Sequence, residues 1–244
     1  MVITSLENDR VKDLVRLQQK KYRDLTGTYL VEGEHLVEEA YKNEAILQII
    51  CLEEVDLYSE FDRLVVSYDV MKKISSLDTP PNIMALCQKK TYENIVGEKI
   101  LLLDGIQDPG NLGTMIRSSL AFGVTSIILS PNCVDLYNPK VIRGTQGMMF
   151  HLPILSMDTK SAISIMKESG IPVYGTSVVN GVDASTLPAE KKNKYCLIMG
   201  NEGSGLSSEV FDLCDQNLYI KMNSKVESLN VGVACSILLY ELGR

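Results

Sequence analysis

Only two histidines, His35 and His151, occur in the 244 residues, and the six cysteines (51, 87, 133, 196, 214, 235) form no CxxC pair. Zinc-type ligand spacing is therefore missing and no metal is expected. Neither histidine receives a role: His35 reads as a surface helix residue and His151 as a loop residue. A disulfide framework is not expected in a chain of this length without a secretory leader, so the cysteines read as reduced core residues of a cytoplasmic protein. Residues 1–23 begin polar (Ser5, Glu7, Asn8, Asp9, Arg10), unlike a signal peptide. The longest apolar run, 231–240, is too short to span a membrane, carries Cys235 and Ser236, and reads as a buried helix. Neither a Walker sequence nor GxGxxG is present, which removes the P-loop and dehydrogenase readings. There is no internal repeat and no low-complexity tract.

What remains is 45% hydrophobic and 23% charged, a globular balance with enough chain for one large domain or two ordinary ones. The net charge of −7 opposes nucleic-acid binding on average, but its distribution does not. Residues 1–23 hold six cations (Arg10, Lys12, Arg16, Lys20, Lys21, Arg23) against three anions, and phosphate affinity needs a local basic footprint rather than a basic total. A solvated amphipathic helix fits the same pattern: Val11, Leu14, Val15 and Leu17 fall at helical spacing over 9–23.

Short strands are expected at 28–31, 46–52, 64–67 and 83–87, helices at 34–43 and 70–75, and a charged helix or loop after Leu52. This describes a compact α/β domain over residues 1–90. The polar stretch 91–98 reads as a linker. Over 99–244 the pattern strengthens: apolar strands at 100–103, 126–129, 172–176, 195–199 and 218–220 alternate with helices at 112–122, 139–144, 161–169 and 230–242. Continuous apolar strands alternating with helices predict a parallel sheet covered on both faces. Ligands of such sheets sit at the C-terminal strand ends, which singles out the loops 104–117, 200–206 and 220–230.

Each of these loops carries polar residues. In Asp108-Pro109-Gly110-Asn111-Leu112-Gly113, the glycines permit a tight strand-to-helix turn and Asn111 stands where a helix cap would be. Arg117 follows about one and a half turns later, with no clear polar face around it. In Gly200-Asn201-Glu202-Gly203-Ser204-Gly205-Leu206 a carboxylate among glycines would repel phosphate and suits a cationic ligand or a hydroxyl. Ser228 or Asn230 could cap the last helix, and having both beside Glu227 exceeds what a cap requires.

In order and spacing, Asn111-x-Gly113-x-x-x-Arg117, then Gly200-Asn201-Glu202-Gly203-x-Gly205-Leu206, then Val226-Glu227-Ser228-Leu229-Asn230-Val231-x-Val233-Ala234 resemble the three motifs of the SpoU (TrmH-type) RNA 2′-O-methyltransferases of the SPOUT superfamily. Arg143, Gly147 and Pro153 resemble the family's intervening segment. Residues 3–38, with Arg10, Lys20, Arg23 and Val31-Glu32-Gly33, are similar to the substrate-binding domain of its rRNA-modifying members. The third motif departs from the family pattern at Lys221, where proline is usual, and at Ser224, where glycine is usual.

The resemblance implies a C-terminal trefoil knot, a homodimer, S-adenosylmethionine as cofactor and an RNA substrate, with 23S rRNA ahead of tRNA. A non-catalytic RNA-binding protein on the same fold would be expected to lose Arg117, Asn111 or Glu202, and all three are present. It also implies Arg117, Asn111, Glu202, Ser228 and Asn230 as the catalytic set and Gly200, Ile220, Leu229 and Thr176 around the cofactor. RNA contacts are expected from Arg10, Lys20, Lys21, Arg23 and Arg143.

Overall fold

A computed structural model describes residues 2–53, 58–178 and 181–244. Its elements in chain order are α1 (Asp9–Arg16), α2 (Lys20–Thr26), β1 (Thr28–Glu32), α3 (Glu34–Lys42), β2 (Ile46–Cys51), β3 (Asp62–Val65), α4 (Tyr68–Ile74), β4 (Ile83–Gln88), β5 (Lys99–Leu103), α5 (Pro109–Ala121), β6 (Ser126–Leu129), α6 (Pro139–Thr145), β7 (Ile154–Ser156), α7 (Thr159–Glu168), β8 (Val173–Thr176), β9 (Val182–Asp183), β10 (Tyr195–Met199), α8 (Ser208–Leu213), β11 (Gln216–Tyr219) and α9 (Val231–Gly243). The charged helix or loop expected after Leu52 lies partly outside the described residues. By contacts the chain divides into Met1–Thr91 with Asp135–Phe150, and Tyr92–Val134 with His151–Arg244.

The first unit is built on a sheet of order β1-β4-β2-β3, in which β4 runs antiparallel to both neighbours and β2 pairs parallel with β3. Val11, Leu14, Val70, Met71 and Ile74 bring α1 and α4 onto it; each fully buried aliphatic side chain contributes roughly 1.5–3 kcal/mol. The single helix expected over 9–23 is broken. Leu17 turns into the core, Gln18 Nε2 donates to Ile74 O at 3.0 Å, and Gln19 takes an extended ψ of 133° before α2 starts. Segment 135–150, which the sequence reading assigns to 99–244, makes its contacts here. Arg23 grips Asp135, Tyr29 packs on Tyr137 with ring centroids 4.5 Å apart, and Gly147 lies so close to Glu39 that a Cβ would come within 2.6 Å of its Cγ.

The second unit is a wholly parallel sheet of order β7-β6-β5-β10-β8-β11-β9. Its central strands are buried over 100–103, 126–129 and 195–199, as their apolar runs favour. α7 covers one face through Ala162, Ile163 and Met166. α5 and α9 lie against each other in the same direction. Ser118 Oγ and Ser236 Oγ are 2.7 Å apart, Phe122 and Tyr240 meet edge to face at 5.7 Å, and a Cβ on Gly232 would come within 3.5 Å of Thr114 Cβ. This regular offset brings the two helix N-termini side by side. β7, α8 and the short β9 lie outside the expected elements, and β11 begins two residues earlier than expected.

Candidate active site

The strand order positions the site. From β5 the chain steps outward to β6 and β7, then returns across the sheet to β8, and β10 inserts between β5 and β8. The C-terminal ends of β5, β10, β8 and β11 therefore lie together at the point where the order reverses, where open parallel sheets bind ligands.

At the end of β5, Gly105 takes φ +75° and the chain turns into α5. The cap of α5 is Asp108, whose carboxylate accepts from Asn111 N–H at 2.9 Å, while Pro109 occupies the first turn, where no donor is needed. Asn111 is thus not the cap. It is a buried residue of the first turn, and its side chain reaches outside the helix.

After β10 the glycines are obligatory at one point: a Cβ on Gly200 would lie 2.4 Å from the carbonyl carbon of Gly205 and 2.5 Å from Leu206 N. Asn201 folds this loop. Its Oδ1 accepts from the Gly203 and Ser204 N–H groups at 2.9 and 3.1 Å, and its Nδ2 donates to Gly105 O at 2.8 Å. Asn230 caps α9, accepting from Gly232 and Val233 N–H at 3.0 and 3.2 Å.

These loops join through a chain of side chains. Asn230 Nδ2 donates to Asn111 Oδ1 at 2.9 Å, and Asn111 Nδ2 donates to Glu202 Oε1 at 3.2 Å. Glu202 also accepts from the backbone N–H of Gln107, 3.1 Å to each oxygen, and of Asp108 at 2.9 Å. Partial burial alone would raise the Glu202 pKa. Hydrogen bonds from the Asp108, Glu202 and Gln107 backbones and the Asn111 amide outweigh it and hold the carboxyl below its ordinary value. The carboxylate also faces the positive end of α5. Glu202 therefore ties the loops together as an anion.

Beside this chain lies a cavity of about 410 Å³ whose wall includes Thr176, Gly200, Glu202, Ile220, Ser228 and Leu229. That volume is within the range of small-molecule sites. Met199, Leu206, Phe211 and Leu238 give it apolar surface, and Glu227 adds a second carboxylate. Apolar walls, backbone polar groups opened by the glycine loop and carboxylates at the wall fit a nucleoside joined to a sulfonium cation. Of the residues implied for catalysis, Glu202 and Ser228 line the cavity, whereas Asn111 and Asn230 do not and reach it only through the hydrogen-bond chain to Glu202. Arg117 is exposed on α5 and has no hydrogen-bond or ion-pair partner among the described residues. Among the described residues no group of three His, Cys, Asp or Glu side chains could hold a metal ion.

The residues expected to touch RNA divide sharply. Arg10, Lys20 and Lys21 are exposed on α1 and α2. Arg23 is 3% exposed and is corrected to a structural role: its guanidinium is held by Asp135 at 2.5 Å and by Leu17 O at 2.7 Å, and it has no surface to offer a phosphate. Arg143 is half-buried and donates to Ser76 Oγ at 2.7 Å, beside the Glu32 carboxylate that holds Ser75 and Ser76. Sequence reasoning gave no role to Asn201 or Gln107. An asparagine opening a glycine-rich turn is a known local organiser and was the available signal for Asn201; nothing local marked Gln107.

This geometry defines a ligand-binding site at the strand ends of a parallel sheet, and comparison with known proteins says which class of protein carries it. Residues 98–240 match the SpoU rRNA methylase family, and residues 8–85 match the MRM3-like substrate binding domain. The chain is 38% identical to the 23S rRNA (guanosine(2553)-2′-O)-methyltransferase RlmP of Bacillus subtilis, over 98% of each chain. It is 27% identical to the mitochondrial rRNA methyltransferase 3 of Xenopus tropicalis, over 92% of this chain and 71% of that one. The AdoMet-bound rRNA methyltransferase from Sinorhizobium meliloti superposes with a TM-score of 0.90 at 30% identity, covering 99% of this chain and 97% of the other. The chain belongs to the SpoU rRNA methylase family. It is an enzyme of the RNA 2′-O-methyltransferase class, with S-adenosylmethionine (AdoMet) as cofactor.

Proposed function

We propose that this enzyme methylates the ribose 2′-hydroxyl of a guanosine in 23S rRNA, and that the nucleotide corresponding to 2553 is its target. The observation that carries the reading is the Asn230–Asn111–Glu202 chain, which joins the loops after β5, β10 and β11 into one wall beside the cavity. The likeness to RlmP extends over 98% of this chain, including residues outside the methylase segment, and this favours rRNA over tRNA.

When bound, AdoMet supplies the methyl group on its sulfonium. Transfer requires the 2′-oxygen to be aligned behind the methyl–sulfur bond, so positioning supplies much of the rate. Backbone groups at Gly200, Ile220 and Leu229, with Thr176 beside them, would hold the cofactor, and Ser228, on the same cavity wall, would face the reacting sugar. Arg117, exposed and without a hydrogen-bond or ion-pair partner among the described residues, binds a neighbouring phosphate and stabilises the alkoxide as charge develops. An arginine, with a pKa above about 12, is a poor proton acceptor at neutral pH, so the 2′-hydroxyl proton passes to solvent water as the methyl group is transferred and the thioether leaves. Asn111, Glu202 and Asn230 position these groups.

On this reading residues 1–90 deliver the RNA through Arg10, Lys20 and Lys21 and residues 99–244 carry the chemistry on a knotted chain. The enzyme works in the cytoplasm as a homodimer. Support for the dimer comes from α9, where Val233 and Tyr240 are 47% and 48% exposed and fall with Ile237 along one helical stripe. No helix among the described residues is long and apolar enough to cross a membrane.

Ribose-methylation mapping of rRNA from cells with and without the gene tests the function. Loss of one 2′-O-methyl at guanosine 2553 is expected, and an unchanged rRNA map would overturn the reading.

A further inference from the structure

Next to the Glu202 junction, two side-chain amides are each held by one end, which leaves one free acceptor and one free donor. Gln107 Nε2 donates to Asn132 O, which fixes the nitrogen side of that amide. Its backbone N–H is meanwhile committed to Glu202, so the side chain is anchored at its base as well. Asn132 is fixed by Ser130. The Gly105 N–H donates to Ser130 Oγ at 2.9 Å, and the Ser130 hydroxyl in turn donates to Asn132 Oδ1. What remains is Gln107 Oε1, an acceptor, and Asn132 Nδ2, a donor. Neither has a hydrogen-bond partner among the described residues, and both side chains belong to exposed residues. Asn132 Nδ2 lies directly over Gly105, where a Cβ would come within 3.1 Å of it, so the glycine leaves the room the amide occupies.

Reading a base edge requires a held acceptor and a held donor on neighbouring residues, and Gln107 and Asn132 are neighbours through the Nε2–O hydrogen bond. Sequence-specific RNA recognition acts on unstacked bases through hydrogen bonds of this kind, and little side-chain freedom is lost when the pair is already held. We propose that Gln107 and Asn132 read the base of the nucleotide being methylated, Asn132 Nδ2 donating to a keto oxygen and Gln107 Oε1 accepting from the adjacent ring N–H. The inference rests on the proposed function, which makes that base a guanine with O6 beside N1–H. With its sugar held at the point of transfer, an adenine presents an amino group and a bare ring nitrogen in the opposite order. Donor then meets donor and acceptor meets acceptor. Both amides lie within a few residues of the Glu202 junction in sequence or by hydrogen bond, so the base is read beside the reacting ribose.

The test uses the full-length enzyme, AdoMet and 23S rRNA fragments carrying guanosine, inosine or adenosine at position 2553. Inosine keeps both O6 and N1–H and lacks only the 2-amino group. The expected wild-type order in kcat/KM is guanosine and inosine within about threefold of each other, with adenosine lower by at least about tenfold. Gln107→Ala and Asn132→Ala each lower the guanosine rate toward the adenosine rate. AdoMet affinity, measured by calorimetry, stays within about twofold, because Gln107 meets Glu202 through its backbone N–H and neither amide side chain lines the cavity. A guanosine-to-adenosine ratio unchanged in both variants would overturn the inference while leaving the proposed function standing, as would an inosine transcript that falls with adenosine. No transfer to any of the fragments by the wild-type enzyme would overturn the proposed function, and the inference with it.

Discussion

Asn230 Nδ2 lies 2.9 Å from Asn111 Oδ1, a hydrogen bond between residues 119 positions apart that joins the starts of α9 and α5. Asn230 performs two tasks with one side chain: its oxygen caps α9 and its nitrogen binds Asn111. Asn230→Asp separates them. The cap survives, since aspartate caps as well as asparagine, but a carboxylate now faces the Asn111 carbonyl oxygen. Helix content and the melting transition should change little, and kcat/KM should fall by about tenfold or more, the cost of one unsatisfied buried polar contact. Circular dichroism with steady-state kinetics checks this; a large loss of helix with normal residual activity per folded molecule would contradict it.

Glu202 titrates below its ordinary value, so its contribution has a definite pH window. The folded-state pKa is depressed, and the stability it confers is fully present above the ordinary 4.5 and is lost as pH falls below that toward the lowered value. Thermal melts of wild type and Glu202→Gln should therefore differ by a constant amount from neutral pH down to about 5 and converge below. A difference that vanishes well above pH 5 would show that the carboxylate is not held as an anion by its amide donors.

Arg23 distinguishes a structural cation from an RNA contact. Its ion pair with Asp135 is nearly closed to solvent, with the side chains 4% and 14% exposed. Removing one partner of a buried pair costs about 3–5 kcal/mol, so Arg23→Ala should lower the denaturation midpoint strongly. The salt dependence of RNA binding by the folded fraction should keep its slope. Lys21→Ala should do the reverse, leaving stability intact and reducing the slope by about one unit.

Arg117→Lys separates electrostatic stabilisation from proton abstraction. Lysine keeps the charge and loses the planar fork, so activity should fall about tenfold or more at every pH with the shape of the pH–rate profile retained. Near-full activity with a shifted profile would favour a general base.

Much of this was legible in the sequence for a physical reason. Residues 100–103, 127–129 and 195–199 are apolar runs, as strands buried on both faces favour. The polar loops that follow them marked the strand ends where the site lies. The remainder depends on pairings that no local pattern encodes. Arg23 reads as one cation among six until Asp135, 112 residues away, takes its guanidinium. Asn111 reads as a cap until Asp108 takes that place and frees it for Asn230. The helix over 9–23 breaks where Leu17 enters the core, Gln18 Nε2 binds Ile74 O and Gln19 turns extended, contacts set by α4 and not by the local pattern. α8 begins at a Ser207 cap that is visible in the sequence but opens only a short helix among loop residues.

The most direct test of the whole account is a reaction of the purified protein with methyl-labelled AdoMet and a 23S rRNA transcript, followed by mapping of the label. The account predicts one labelled nucleotide, guanosine 2553, with the methyl on the ribose 2′-oxygen, and loss of labelling in Arg117→Ala while calorimetry still detects AdoMet binding. Label on a base, label on tRNA in preference to 23S rRNA, or full activity in Arg117→Ala would contradict it.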